Sequence, residues 1–105
     1  MKTSLSIENL FHLQNKNLSH TLIDVRNNID YNNNHIPGAI NIPIEDIETF
    51  KFTPNKENII ITVCGKGGGR SEKAAQYLRD HFTCEVYFLE GGTNEWFENK
   101  KIIEK

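Results

Sequence analysis

The chain reads as one α/β domain, a central parallel sheet of about five strands with helices on both faces. Two observations predict this. Short apolar runs alternate along the chain with stretches of helical spacing, the order that strand–helix–strand units with right-handed crossovers produce. The run Ile-Ile-Ile-Thr-Val at 59–63 is apolar on both alternating sets of positions, as expected of a strand buried on both faces. A length of 105 residues fits a single core and not two domains with a cleft between them. The expected core spans about 6–99, with 100–105 as a tail.

Each element follows from its own residues. Ile7, Leu10, Phe11 and Leu13 predict a short helix over 6–14, with Ser6 as its N-cap. Thr-Leu-Ile-Asp-Val at 21–25 predicts a strand. The stretch from Asn27 to Asn34 is polar and turn-prone, and Asn32-Asn33-Asn34 within it reads as a solvated loop. His35-Ile36-Pro37-Gly38 marks a turn, and 39–42 a short strand closed by Pro43. Ile44, Ile47 and Phe50 suggest a short helix, with Glu45 and Asp46 in the first turn where the dipole favours acids. Residues 52–58, polar and carrying Pro54, read as a linker into the strand at 59–63. Further on, Ala74, Ala75, Leu78 and Phe82 share one helical stripe, with Glu72, Lys73, Gln76, Arg79 and Asp80 off it. Val-Tyr-Phe-Leu at 86–89 is another strand, stopped by Gly91-Gly92, and Asn94 is placed to cap a last helix through Trp96 and Phe97. Lys100, Lys101 and Lys105 beside Glu98 and Glu104 read as a solvated end.

Composition narrows the function. With 37% hydrophobic and 25% charged residues the chain is globular. A net charge of −2 argues against a nucleic-acid or anionic-membrane surface, so any anion binding must come from local geometry. No apolar run approaches the ~20 residues of a membrane span, and the first eight residues lack a secretory apolar segment. A cytoplasmic location is expected. Two cysteines are too few for a disulfide framework.

The chemistry is concentrated in Cys64-Gly65-Lys66-Gly67-Gly68-Gly69-Arg70-Ser71. Cys64 ends a strand, and in open α/β sheets ligands bind beyond the strands' carboxyl ends. Four glycines in five residues let backbone N–H groups converge on one point. The following helix N-terminus adds its own amides and the positive end of its dipole. Arg70 supplies a planar, permanently charged fork, and Lys66 a mobile cation at the rim. Groups that bind an anion also favour a thiolate, so Cys64 is expected to be a nucleophile that needs no histidine partner. A nucleotide phosphate loop is set aside, because the Gly-Lys-Ser/Thr ending of that motif is missing.

Several segments in order resemble the rhodanese family: Leu22-Ile23-Asp24-Val25-Arg26, then His35-Ile36-Pro37-Gly38-Ala39-Ile40-Asn41-Ile42-Pro43, the Cys64 loop, and Leu89-Glu90-Gly91-Gly92-Thr93-Asn94-Glu95-Trp96. The resemblance implies a single rhodanese-like domain and a sulfurtransferase. In that chemistry the Cys64 thiolate takes the sulfane sulfur of a small anionic donor such as thiosulfate. The resulting persulfide passes it to a thiol or cyanide, with a protein sulfur acceptor as a further partner. Cys64 would be catalytic. Gly65, Lys66, Gly67, Gly68, Gly69, Arg70 and Ser71 would bind substrate, and no metal or organic cofactor is implied. Asp24, Arg26 and His35 would support the site.

Two departures stand out. Where the family often has an acidic residue and a glycine before His35, this chain has Asn32 and Asn34. The commonest sulfurtransferase loop places four residues between cysteine and arginine, whereas here there are five, Gly65 to Gly69. Five resembles the Cdc25 type of dual-specificity phosphatase and the arsenate reductases on the same fold. A wider bowl suits a tetrahedral phosphate or arsenate, although phosphoryl transfer also wants a general acid, and Glu72 on the helix is a poor one. A non-catalytic sulfur carrier or regulatory module is the third reading.

The remaining candidates read structurally. Asp24 and Arg26 suit an ion pair that either walls the site and orients the loop or holds strand ends together, and His35 a turn contact. Cys84 precedes a strand at the end of the sheet opposite Cys64, which argues against a resolving role, and the His81/Cys84 pair is too small for a metal site. Trp96 reads as a core anchor, and Phe50 and Phe52 as core residues near the pocket mouth.

Overall fold

The computed structural model describes residues 3–16, 18–49, 58–67 and 69–103, the side chains of 100–103 excepted. Within them five parallel strands alternate with four helices: β1 (Ser4–Leu5), α1 (Ile7–Asn15), β2 (His20–Asp24), α2 (Asn28–Asn33), β3 (Ile40–Asn41), β4 (Ile59–Val63), α3 (Arg70–His81), β5 (Glu85–Leu89) and α4 (Gly92–Ile103). A single 3-10 turn, Ile44–Asp46, follows β3. The sheet order is β1-β5-β4-β2-β3, and every pairing is parallel. No helix among the described residues is long and apolar enough to cross a membrane.

The α/β class with helices on both faces is therefore present, and β4 does alternate between two cores. Ile60 and Cys64 belong to one apolar cluster, Ile61 and Val63 to the other. The first cluster is covered by α3 through Ala74, Ala75 and Leu78. The second is covered by α1 and α4 through Ile7, Leu10 and Trp96. Phe11 and Trp96 bring the two helices together at 5.6 Å between ring centroids. Ser6 caps α1 as expected, its hydroxyl accepting from the Asn9 N–H at 3.1 Å.

Four expectations are corrected. Residues 4–5 form an edge strand on β5 that the sequence does not announce, because two residues carry no periodicity. The polar stretch at 27–34 is not a loop throughout. Asn27 caps α2 by accepting from the Asp30 N–H at 2.8 Å, so an asparagine-rich segment becomes helical through its cap and not through an apolar stripe. Asn94 does not cap the last helix, which starts two residues earlier at Gly92. The helical run expected around Ile44 and Ile47 is the 3-10 turn. Phe50, Phe52 and the linker around Pro54 lie outside the described residues.

Strand order decides where a ligand can sit. The chain leaves β2 toward β3 on one side and leaves β4 toward β5 on the other. The connections diverge, and a crevice opens between the carboxyl ends of β2 and β4. Arg26 and Cys64 follow those two ends.

Candidate functional site

Cys64 stands one residue past the central strand, 6% exposed, at a cleft of about 500 Å³. Gly65, Lys66, Gly67, Gly69 and Arg70 line the same cleft, and so do Arg26, Asp30 and Asn94. The structure thus gathers the expected loop around the sulfur, except Gly68, which lies outside the described residues.

The loop is held from behind. The Thr93 N–H donates to the Cys64 carbonyl at 2.8 Å, and the Asn94 N–H to the Gly65 carbonyl at 3.0 Å. These N–H groups belong to the first turn of α4, whose amides would otherwise lack partners. Both loop carbonyls therefore face α4. Since a trans peptide is planar, the N–H groups of Gly65 and Lys66 point the opposite way. Two helix N-termini divide the work: α4 holds the loop's carbonyls, and α3 opens at the cleft with Arg70 as its first residue. The backbone reaches α3 through Gly69, whose φ of +49° L side chains rarely adopt.

Ser71 is placed differently from expectation. It is fully buried and lies behind the sulfur, its Oγ 3.3 Å from Cys64 Sγ, not in the cleft wall. Its carbonyl accepts from the buried Thr62 hydroxyl at 2.6 Å, which ties the first turn of α3 to β4. A strand residue two before the cysteine thus fixes the helix that opens at the cleft.

Asp24 and Arg26 form a buried pair. The Arg26 Nε and Nη2 atoms donate to Asp24 at 3.0 and 2.9 Å, and the Arg26 N–H donates to Asp24 Oδ1 at 3.1 Å. Arg26 Nη2 also donates to the Asn34 carbonyl at 2.6 Å. Asp24 is sealed, whereas Arg26 contributes to the cleft lining, its guanidinium held in place and its charge matched by Asp24. His35 is not brought to the cleft. Its ring stacks on Tyr31 at 3.9 Å, with Nδ1 2.9 Å from the Tyr31 carbonyl. His81 likewise stacks on Tyr77, and Glu72 does not reach the cleft lining.

Asp30 and Asn94 are cleft residues that the sequence does not announce as such. The acidic residue before His35 was sought at position 32, but the carboxylate that lines the cleft comes two residues earlier, from α2. The available signal was Asn27 three residues before Asp30, a capping spacing that predicts a helix.

Cys84 lies where the sequence put it. Ile59 pairs with Glu85, so Cys84 sits beside the start of β4 while Cys64 follows its end. Six residue steps, from the level of position 58 to 64, separate them along the five-residue strand, about 20 Å, against the roughly 7 Å between Cα atoms that a disulfide allows. Burial pushes the Cys84 thiol above its ordinary range, against a smaller opposing effect of its own backbone hydrogen bonding. A raised thiol holds less thiolate near neutral pH. Cys84 is therefore expected to resist iodoacetamide there and to react increasingly as pH rises, which peptide mapping of the native protein would show.

With this geometry in view, the sequence matches the rhodanese-like domain family over residues 7–99. It is 35% identical over 77 residues to thiosulfate sulfurtransferase GlpE of Shewanella oneidensis, covering 73% of this chain and 75% of that one. The fold is shared with the human single-domain sulfurtransferase TSTD1, at a TM-score of 0.80 and 22% identity over 93% of this chain and 97% of that one. It is shared equally with a Rhodopseudomonas palustris protein of unknown function, a possible tyrosine phosphatase, at a TM-score of 0.79 and 20% identity over 94% and 82% of the two chains.

Proposed function

Because this chain belongs to the rhodanese-like domain family, whose members similar to it include a thiosulfate sulfurtransferase, we propose that it moves sulfane sulfur through a persulfide on Cys64. The observation that carries the reading is the loop's polarity. Its first two carbonyls are bonded to α4, and Cys64 shares a cleft with Arg26, Lys66 and Arg70. That arrangement welcomes an anion next to a nucleophilic sulfur.

In the first half-reaction the Cys64 thiolate attacks the outer sulfur of thiosulfate. A bond forms between Cys64 Sγ and that sulfur, and sulfite leaves with the electron pair of the broken bond. The charge left on the outer sulfur is met by the loop amides and the surrounding cations. In the second half-reaction a thiolate attacks the outer sulfur, and the electron pair of the cleaved S–S bond returns to Cys64. Ser71 Oγ, 3.3 Å behind the sulfur, accepts from the Cys64 thiol, and once the thiol is ionised the same hydroxyl would turn its hydrogen toward the thiolate. The test is mass measurement after thiosulfate treatment. Gain of one sulfur atom supports the reading, and an unchanged mass overturns it.

Arg70 is assigned to the donor. Arg70→Ala is expected to raise KM for thiosulfate about 10- to 100-fold, the worth of a charge-assisted hydrogen bond. Arg70→Lys should restore only part, since a point charge lacks the fork. Steady-state kinetics with thiosulfate as the varied substrate checks both.

A second reading rests on two specific features. Five residues separate Cys64 from Arg70, and Asp30 places a carboxyl group in the cleft, where it would protonate a leaving alkoxide. Phosphate release from an aryl phosphate, dependent on Cys64, would favour a phosphatase or arsenate reductase over sulfur transfer.

A further inference from the structure

We propose that the sulfur acceptor is a small amine-bearing thiol, whose thiolate enters the Cys64 cleft while its ammonium group sits in a second cleft alongside. This deepens the sulfurtransferase reading and rests on it. The second cleft, of about 600 Å³, runs along α4 past Asn94, Glu95, Phe97, Glu98 and Asn99. It meets the first at Lys66 and Asn94, which line both. Its volume is that of a small-molecule site.

The two clefts have opposite polarity. On the sulfur side the charged lining is Lys66 and Arg70 against Asp30, with Arg26 already matched by Asp24. On the α4 side it is Glu95 and Glu98 against Lys66. The two glutamates are three apart on one helix and so share a side of it. Neither carboxylate has an ion pair or side-chain hydrogen bond among the described residues. Both are exposed, and the Glu95 side chain lies against Gly91, in the space that a Cβ there would occupy. Asn34, Asn94 and Asn99 add amide donors and acceptors.

A ligand spanning the junction therefore meets cations at its sulfur end and carboxylates at the other. An acceptor thiol with a carboxylate tail would set like charges together, and cyanide would leave the second cleft unused. In the transfer the acceptor thiolate attacks the outer sulfur of the Cys64 persulfide. One S–S bond forms, the bond to Cys64 Sγ breaks, its electron pair stays on Sγ, and the amine-bearing persulfide leaves. No external oxidant or reductant is involved.

The test uses the whole chain loaded with thiosulfate and checked by mass for the persulfide. Discharge is then timed with cysteamine, mercaptoethanol and mercaptopropionate at equal thiolate concentration. Cysteamine is expected to be fastest and mercaptopropionate slowest. The double variant Glu95→Gln/Glu98→Gln should shrink the cysteamine-to-mercaptopropionate ratio by about two- to fivefold per carboxylate removed. The intrinsic nucleophilicity of each thiol is the same toward both proteins, so a change in that ratio belongs to the cleft. A ratio equal in the two proteins overturns the proposal and leaves the sulfurtransferase reading standing. Absence of the persulfide in the first step overturns both.

Discussion

Replacing Cys64 by serine is expected to abolish sulfur uptake, so that thiosulfate treatment leaves the mass of the variant unchanged and turnover falls to the uncatalysed level. The effect should be total because the proposed step is a covalent one. A serine hydroxyl is not ionised near neutral pH and forms no stable bond to sulfane sulfur. The fold should survive the change, since serine is close in size to cysteine and Ser71 Oγ, 3.3 Å from the sulfur, offers a hydrogen-bond partner. Cys84→Ser is the matched control. That thiol is buried at the other end of the sheet and should leave uptake unaltered. If the Cys64→Ser protein still gains a sulfur atom, or the Cys84→Ser protein does not, the assignment of the nucleophile is wrong.

Much of this site was legible in the sequence because its makers are local. A buried strand ending in cysteine, a run of glycines and an arginine at the head of an amphipathic helix all lie within a dozen consecutive positions, 59–70. Each has a backbone consequence that needs no distant partner. What escaped depends on contacts across the sheet. Residues 4–5 are too few for a periodic signal and are strand only because β5 offers its edge. Asp30 enters the cleft only because α2 turns it there, and α2 exists through a side-chain cap in a stretch without apolar spacing. Ser71 looked like a ligand residue from its place in the loop, but the helical turn carries it beneath the sulfur. Asp24 and Arg26 were read as an ion pair, and that reading needed only their spacing. The place of Arg26 in the site wall, also legible in the sequence, is made by the β2–β4 pairing.

The largest omission was the reason for Gly91-Gly92. The sequence shows these glycines as a strand stop, whereas the structure makes Gly92 the floor on which the cysteine loop rests. Gly92→Ala is expected to lower activity by at least about a hundredfold, the usual consequence of displacing reacting groups by an ångström. A Cβ at this position would stand only 2.7 Å from the Gly67 nitrogen and 2.8 Å from the Gly65 carbonyl carbon, and would overlap the Cys64 carbonyl oxygen. All three are backbone atoms and cannot swing aside as a flexible side chain would. The φ of +63° adds strain of its own, about 1–2 kcal/mol for an L residue. The loop would have to lift from α4, losing the bonds from the Thr93 and Asn94 N–H groups that keep its carbonyls turned from the cleft. Freed carbonyls near the sulfur would repel the anion that the cations attract. Gly38→Ala separates this effect from general strain. Its φ is +89°, but a Cβ there meets nothing within 4 Å, so it should cost stability alone. Thermal melts and thiosulfate kinetics on both variants decide the matter. Comparable stability losses with activity lost only in Gly92→Ala would place the defect in the loop, and equal activity losses in both would refute the supporting role given to α4.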